Sequence, residues 1–182
     1  MIEVEAKYWS PGNDKIERAL QRLGAKRLSQ GSVEDVYFSH PARDFGSSDE
    51  ALRLRKGDGV FEIEYKGPRM KGASAKAREE ISVKVENPLE AQRIMERLGF
   101  REFCVVRKTR TSYLYDKIRV DVDDVEGLGE FVELEVMTES PEHSSLLFER
   151  IRKELGLDRP EPKTYLELLL EKESASVGRT KG

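Results

Sequence analysis

Cysteine and histidine are scarce in this sequence of 182 residues, which contains one cysteine and two histidines. Cys104 therefore has no partner for an intramolecular disulfide, and no group of Cys and His residues has the spacing of a metal site. Long apolar runs are also missing, since no stretch approaches the roughly 20 residues that a membrane-spanning helix needs. Charged residues already occur at Glu3, Glu5 and Lys7. We therefore expect a cytoplasmic protein with no membrane partner.

An excess of charge of one sign is lacking as well. Charged residues make up 37% of the chain, yet the net charge is only −3. Long-range attraction to nucleic acid or to anionic lipid is therefore weak. The sequence pI of about 5.7 also argues against an extended RNA-binding surface. The two histidines, His40 and His143, have no neighbours that would complete a catalytic set.

What the sequence does contain is a regular alternation of charged and apolar residues. The first example is the segment from Ile2 to Tyr8, whose period of two predicts a half-buried strand. Similar segments recur after it, near residues 26–38, 51–56, 60–66, 78–85, 103–115, 117–124 and 130–137. Short strands joined by turns predict an antiparallel sheet.

Helical spacing of apolar residues occurs in three longer segments, each of which ends at a glycine. These helices are predicted over residues 13–23, 88–98 and 141–155, with a short fourth one at 164–170. Asn13 is the expected cap of the first helix. A chain of this length can bury roughly 70% of its extended surface in one core. We expect a single domain over residues 1–173 and a tail without regular structure over residues 174–182.

The charged faces of the strands allow two interpretations. In one, an open sheet turns its charged face to water, and the charges serve only solubility. In the other, amphipathic helices cover the apolar outer face of a closed sheet, and the charges line its interior. The distribution of the two charges favours the interpretation with a charged interior, because acidic residues concentrate on the first and last strands and basic residues on the strands between. We therefore predict an α+β fold, with a closed antiparallel β-barrel of about eight strands, a charged interior and helices packed outside.

Such an interior would suit a metal-bridged polyphosphate. Carboxylates bind hard cations such as Mg²⁺ or Mn²⁺. Arg and Lys bind phosphate oxygens, Arg often through paired hydrogen bonds.

Several motifs in the chain resemble those of one family. They run in order along nearly the whole sequence: Glu3-x-Glu5-x-Lys7, Leu52-Arg53-Leu54-Arg55, Lys66-Gly67-Pro68, Arg78-x-Glu80, Lys108-x-Arg110, Val122-Asp123, Gly127-Leu128-Gly129-x-Phe131-x-Glu133-x-Glu135, and Lys163-Thr164-Tyr165-x-x-Leu168-Leu169. The set resembles the CYTH superfamily, the triphosphate tunnel metalloenzymes, which includes relatives of thiamine triphosphatases. The turn before Phe131, Met137-Thr138 and the final motif are most similar to class IV adenylyl cyclases.

The resemblance implies a role for each matching residue. Metal ligands would be Glu3, Glu5, Asp121, Asp123, Glu133 and Glu135, holding Mg²⁺ or Mn²⁺. Phosphate contacts would come from Arg53, Arg55, Lys66, Arg78, Lys108, Arg110 and Lys163. Catalytic roles would fall to Lys7, Asp123 and Tyr165, and Lys163 and Tyr165 would also close the tunnel mouth. Arg119 matches no motif and is assigned to the barrel lining only by the alternation along its strand. Glu62 and Glu64 are interpreted as ion-pair partners in the barrel wall.

The expected activity is that of an adenylyl cyclase converting ATP to cyclic AMP and pyrophosphate. An alternative is a triphosphatase acting on thiamine triphosphate, a nucleoside triphosphate or inorganic triphosphate, because the same lining would bind any of them. A third alternative is a polyphosphate-binding module without activity. No nucleobase pocket is recognisable in the sequence, so the choice of cyclase follows from the resemblance. The partner is thus a small-molecule triphosphate, and the protein a monomer or homodimer.

Overall fold

The computed structural model of the protein describes residues 2–57, 59–70, 76–138 and 144–179. Strands and helices alternate irregularly along these residues. The strands are β1 (Ile2–Trp9), β2 (Lys26–Ser39), β3 (Ala51–Gly57), β4 (Val60–Lys66), β5 (Lys76–Lys84), β6 (Arg101–Tyr115), β7 (Ile118–Val125) and β8 (Gly129–Thr138). The helices are α1 (Asn13–Arg22), α2 (Pro88–Arg97), α3 (Ser144–Leu155) and α4 (Tyr165–Arg179).

The strands close into one barrel in the order β1-β5-β4-β3-β2-β6-β7-β8, and β8 pairs back onto β1. Every neighbouring pair is antiparallel. Closure satisfies the backbone hydrogen bonds of both edges of the sheet, which removes the need to protect them. The predicted fold, a closed antiparallel barrel of eight strands with helices outside it, is confirmed.

The apolar core lies between the barrel and its helices. Helices α1 and α3 bury Ile16, Leu20 and Ile151 against Val120 and Leu134 on the outer face of β7 and β8. On another side, Met95 of α2 packs against residues of β2 and β3 in a smaller cluster. Because side chains alternate along a strand, this outward apolar packing directs the charged residues of the same strands into the barrel.

The helix ends differ from the sequence expectations in two places. Asn13 does not cap α1, because Gly12 holds the capping position at φ 125° and the Asn13 amide instead donates to the Asp123 carbonyl at 3.0 Å. Helix α4 continues to Arg179 and so includes residues 174–179, where we expected no regular structure. The predicted start of α3 at Pro141 lies outside the described residues, as does Asp58 between β3 and β4. None of the described helices has the length and apolar character needed to cross a membrane.

Candidate functional site

The interior of the barrel is a cavity with a mostly charged lining. Its charged side chains are Glu3, Glu5, Lys7, Arg53, Arg55, Glu62, Glu64, Lys66, Arg78, Glu80, Lys108, Arg110, Arg119, Glu133 and Glu135. Tyr37, Ala51, Thr164, Tyr165 and Leu166 complete the lining. Most of the predicted site residues therefore face one enclosed space, and Arg119, placed there by its period alone, is among them.

Strand register explains how the opposite charges meet. Arg53 lies directly opposite Glu64, and Arg55 opposite Glu62, across the β3–β4 pair. On the next ladders Lys66 faces Glu80, and Glu3 faces Arg78. Directly opposed residues of unlike charge stabilise an antiparallel pair, so the same positions that line the cavity also fix the register of the barrel.

Arg53 illustrates the resulting ion pairs. Its guanidinium pairs with Glu64, lies 3.3 Å from Asp35 Oδ2 and donates to the Tyr37 hydroxyl at 3.2 Å. Burial alone would raise the pKa of Glu64, but Arg53, with Lys66 and Arg55, outweighs burial and lowers that pKa to about 2. Glu64 is thus an ion-pair partner in the wall, as the sequence predicted.

Asp35 is a buried member of this network that the sequence analysis missed. Its carboxylate accepts from Arg55 Nε at 2.7 Å and Nη2 at 2.9 Å, and Lys108 Nζ lies 3.7 Å away. These cations outweigh burial and hold the pKa of Asp35 well below its usual range. The adjacent Glu34-Asp35 pair puts one carboxylate on each strand face, which interrupts the simple alternation. Asp35 is two residues from Tyr37 on β2, so the two side chains lie on the same face of the strand. That spacing was the one sequence signal that Asp35 faces inward.

Arg110 forms ion pairs with three carboxylates where β6, β7 and β8 lie side by side. It binds Asp123 through Nε at 2.7 Å and reaches Asp121 and Glu133 at 2.5 Å each. Asp121 also accepts from Arg119 Nε at 2.9 Å. Asp121 and Asp123 are fully buried, and neither is among the side chains that line the cavity. The structure therefore places these two predicted metal ligands within the wall, where they anchor Arg110.

The acidic side of the cavity is formed by β1 and β8. Glu5 lies directly opposite Glu135 in their shared register, and like charges at directly opposite positions repel each other. Burial, reinforced by Glu3 and Asp121, raises the pKa of Glu135 to about 7. Burial and the nearby carboxylates Glu80 and Glu5 likewise raise the pKa of Glu3 to about 8, although Lys66 Nζ lies 2.6 Å from it.

This acidic side fits a hard divalent cation. Glu3, Glu5 and Glu135 supply carboxylate oxygens on adjacent strands, and bound positive charge would relieve their mutual repulsion. Among the described residues, no group of three or more potential ligands is already arranged around one cation position.

One end of the barrel is covered by the start of α4. Tyr165 enters the mouth, and its hydroxyl donates to Asp123 Oδ2 at 2.8 Å. Lys7 Nζ sits 3.7 Å from the centre of the Tyr165 ring and 3.1 Å from Glu133 Oε1. Lys163 contributes its backbone carbonyl to Lys7, while its own ammonium pairs with Glu171 at 2.6 Å outside the cavity. The structure therefore brings Lys7 and Tyr165 together and leaves the Lys163 side chain outside.

Two guanidinium nitrogens in the cavity lining have unused hydrogen-bonding capacity. Arg53 Nε and Arg78 Nη2 are buried and have no hydrogen-bond partner among the described residues. A buried donor without an acceptor is costly and rare. An anion in the cavity would supply the missing acceptors.

The protein is thus a closed antiparallel β-barrel whose cavity is lined by side chains of both charges. Comparison with known proteins gives its family. The CYTH domain model matches residues 1–165, so the chain belongs to the CYTH domain family. A Methanocaldococcus jannaschii protein named as a candidate adenylate cyclase is 42% identical over 173 residues, covering 92% of this chain and 98% of that protein.

Solved structures agree with the fold. A Pyrococcus horikoshii protein superposes with a TM-score of 0.83 at 36% identity, covering 93% of this chain and 99% of its own. A Hippeastrum protein, described as a candidate adenylyl cyclase with a dominant triphosphatase activity, superposes with a TM-score of 0.69 over 94% of this chain and 95% of its own. At 20% identity, the Hippeastrum likeness concerns the fold alone.

Proposed function

We propose that this protein is a metal-dependent enzyme that binds the triphosphate of ATP inside the barrel and converts ATP to cyclic AMP and pyrophosphate. The observation that carries the proposal is the enclosed cavity, in which two buried guanidinium donors have no acceptor among the described residues. A triphosphate has acceptor oxygens along its whole length and would satisfy them.

The basic side of the cavity would hold the phosphates. Arg53 and Arg55 are fixed by Asp35, and Arg110 is fixed by Asp121 and Asp123, so their guanidinium groups are already oriented before substrate enters. Such preorganised charge stabilises the developing charge of phosphoryl transfer without reorganisation during the reaction. Lys66 would bridge the two sides, because it contacts Glu3 at 2.6 Å and Glu80 at 2.9 Å.

The acidic side would hold Mg²⁺ or Mn²⁺ through Glu3, Glu5 and Glu135. When bound, the cation would neutralise phosphate charge and lower the pKa of a coordinated hydroxyl. In the cyclisation, the ribose 3′-hydroxyl would lose its proton to solvent, and its oxygen would form a bond to the α-phosphorus as the bond from that phosphorus to the oxygen bridging it to the β-phosphorus breaks. Pyrophosphate would then leave on the basic residues.

The choice of cyclisation is supported by the name of the Methanocaldococcus jannaschii protein, at 42% identity over nearly its full length. Hydrolysis of a triphosphate is the second candidate, because the lining contacts charge and does not itself select the nucleophile. The activity of the Hippeastrum protein indicates that this barrel architecture can host hydrolysis.

Product analysis by phosphorus NMR tests the proposal. The protein is incubated with ATP and either Mg²⁺ or Mn²⁺, and we expect pyrophosphate and cyclic AMP to appear in equal amounts. Orthophosphate with ADP would identify a triphosphatase instead. Unchanged ATP that nevertheless binds would identify a binding module, and ATP that neither reacts nor binds would exclude the proposed site altogether.

A further inference from the structure

Lys66 carries a positive charge into the acidic side of the cavity. Its ammonium lies 2.8 Å from Glu3 Oε1 and 2.6 Å from Glu3 Oε2, so it contacts both oxygens of that carboxylate. It also lies 2.9 Å from Glu80 Oε2. The position beside Glu3 is therefore taken by a cation that belongs to the protein itself.

Strand register brings these three side chains together. Lys66 lies directly opposite Glu80 on the β4–β5 ladder. Glu3 lies opposite Arg78 on the β1–β5 ladder. Arg78 and Glu80 are two residues apart on β5, so their side chains point to the same face. Because β5 lies between β1 and β4 in the ring, Lys66 reaches across β5 to contact Glu3.

The two carboxylates share this one ammonium. Among the described residues, Lys66 is the cation that forms an ion pair with Glu3 and also the cation that pairs with Glu80. Glu3 is only 4% exposed, and a buried carboxylate without a cationic partner is costly. Glu5 and Glu135 add further negative charge to the same lining. The acidic side therefore remains short of positive charge even with Lys66 in place.

A divalent cation bound by Glu3 would compete with Lys66. Both Glu3 oxygens already contact the ammonium, and two cations so close together repel each other strongly in a cavity that holds little water. Lys66 therefore opposes binding of a metal ion for as long as it stays between Glu3 and Glu80. Moving the ammonium away would leave the carboxylates free to bind the ion.

Phosphate would offer the ammonium another partner. Lysine has a flexible stem and three donors without a fixed geometry, so it can change partners at small cost. The basic side of the cavity begins close by, because Glu64, the ion-pair partner of Arg53, lies 3.9 Å from Lys66 Nζ. A phosphate bound at Arg53 would therefore lie near Lys66.

From these contacts we infer that Lys66 is an internal counter-ion of the cation site. Glu3 and Glu80 hold it in the free protein, and triphosphate draws it to the basic side, which opens Glu3 to the metal ion. Metal ion and triphosphate then bind cooperatively through one lysine, and Glu80 is a positioning residue for that lysine. The inference rests on the proposed function and adds that the free protein binds the metal ion weakly.

Titration of the whole protein with Mn²⁺, without triphosphate, tests the contact with Glu3. Electron paramagnetic resonance measures free Mn²⁺, at a slightly alkaline pH that limits competition from protons. Lys66→Met removes the ammonium at similar length, and we expect its Kd for Mn²⁺ to be lower than that of wild type by about tenfold or more. Lys66→Gln should have the same effect. Lys66→Arg keeps the charge and should stay within about threefold of wild type.

Lys84→Met is the matched control. It removes the same charge from the same face of β5 as Glu80, at a position opposite Glu62. We expect its Kd for Mn²⁺ to change by less than about twofold. A gain in affinity as large as that of Lys66→Met would mean that net charge, and not the contact with Glu3, controls metal binding, and the inference would be overturned.

Binding of inorganic triphosphate in excess chelator tests the role of Glu80. Glu80→Gln releases Lys66 from one of its two partners, and we expect calorimetry to show a Kd lower by about fivefold. Repulsion between Glu80 and phosphate would give the same gain in any background. In the Lys66→Met background, Glu80→Gln should instead change the Kd by less than about twofold, because its effect acts through the lysine.

The failures are distinguishable. If Lys66→Met and Lys66→Gln bind Mn²⁺ no more tightly than wild type, Lys66 is not the counter-ion, although formation of cyclic AMP would still support the proposed function. An equal effect of Glu80→Gln in both backgrounds would overturn the positioning role of Glu80. If neither ATP nor inorganic triphosphate binds, with or without metal, the proposed function itself is overturned, and this inference with it.

Discussion

Glu3 and Lys66 touch each other in the cavity, with 2.6 Å between the carboxylate and the ammonium, yet they have different proposed partners. Glu3 would hold the cation, whereas Lys66 would hold phosphate. Replacing either one removes half of an ion pair, so stability alone cannot separate their roles. The response of each variant to metal can.

Glu3→Gln weakens a metal ligand at constant size, so we expect a large loss of kcat that excess Mn²⁺ partly restores. Lys66→Ala removes a donor to the triphosphate and should lose about a hundredfold in kcat/KM, at any metal concentration. Steady-state kinetics across a Mn²⁺ titration measures both. Glu79→Gln, on the outward face of β5 next to Glu80, serves as the control and should behave as wild type. Identical metal responses of the first two variants would contradict the assignment of acids to metal and bases to phosphate.

Asp35 acts on structure, because it neutralises Arg53, Arg55 and Lys108 within the wall. Asp35→Asn leaves these cations without their shared anion, and we expect the free energy of unfolding to fall by about 3 kcal/mol. Urea denaturation at pH 7 measures the loss. Glu34→Gln is the matched control, since Glu34 pairs with Lys56 and Arg107 on the partly exposed outer face and should lose less than about 1 kcal/mol. Equal losses would show that the Asp35 cluster contributes no more than a surface pair.

At acidic pH, the difference in the free energy of unfolding between wild type and Asp35→Asn should become smaller. The pKa of Asp35 is lower in the folded protein than in the unfolded chain. Its stabilisation is therefore fully present above the ordinary aspartate pKa of about 4 and is lost as the pH falls below that value.

Helix α4 begins at Tyr165, which contacts residues of the barrel through both its ring and its hydroxyl. Tyr165 contacts Lys7 and Phe131 through its ring and Asp123 through its hydroxyl. Tyr165→Ala removes all three contacts, and we expect hydrogen-exchange protection of the first turns of α4 to fall about a hundredfold. Tyr165→Phe keeps the ring and should lose less than tenfold. If the alanine variant exchanges no faster than the phenylalanine variant, the ring does not hold α4 over the barrel mouth.

At the level of strands and helices, the sequence predicted most of the fold. Period-two alternation identified the strands, and the need to cover their apolar faces identified the inside of the barrel. Asp35 was missed because the charged pair Glu34-Asp35 obscures which residue faces inward. Alternation assigns a side chain to a face, whereas register and loop packing decide which residues meet across the barrel.

For the molecule as a whole, the two signs of charge nearly cancel, with a net charge of −3. The local imbalance on the acidic side of the cavity therefore matters more than bulk attraction, and triphosphate would add further negative charge to it. We expect turnover to stop in excess chelator and to return when Mg²⁺ or Mn²⁺ is added back. Circular dichroism of the chelated protein should be unchanged, since the apolar core lies outside the barrel. Full turnover in chelator would exclude the proposed cation.

The ring order of the strands also determines when this chain can finish folding during its synthesis. The partners of β1 are β5 and β8, and its last residue, Trp9, lies opposite Phe131. β1 leaves the ribosome well before either partner has been made, and it carries charged residues that belong inside the barrel. β1 can pair with β5 once β5 has emerged, but its other edge stays unpaired while α2, β6 and β7 are synthesised, so the ring can close only after β8 has emerged. Pairing over such long sequence separations is slow, and closure of the β1–β8 seam is therefore the natural last step of assembly.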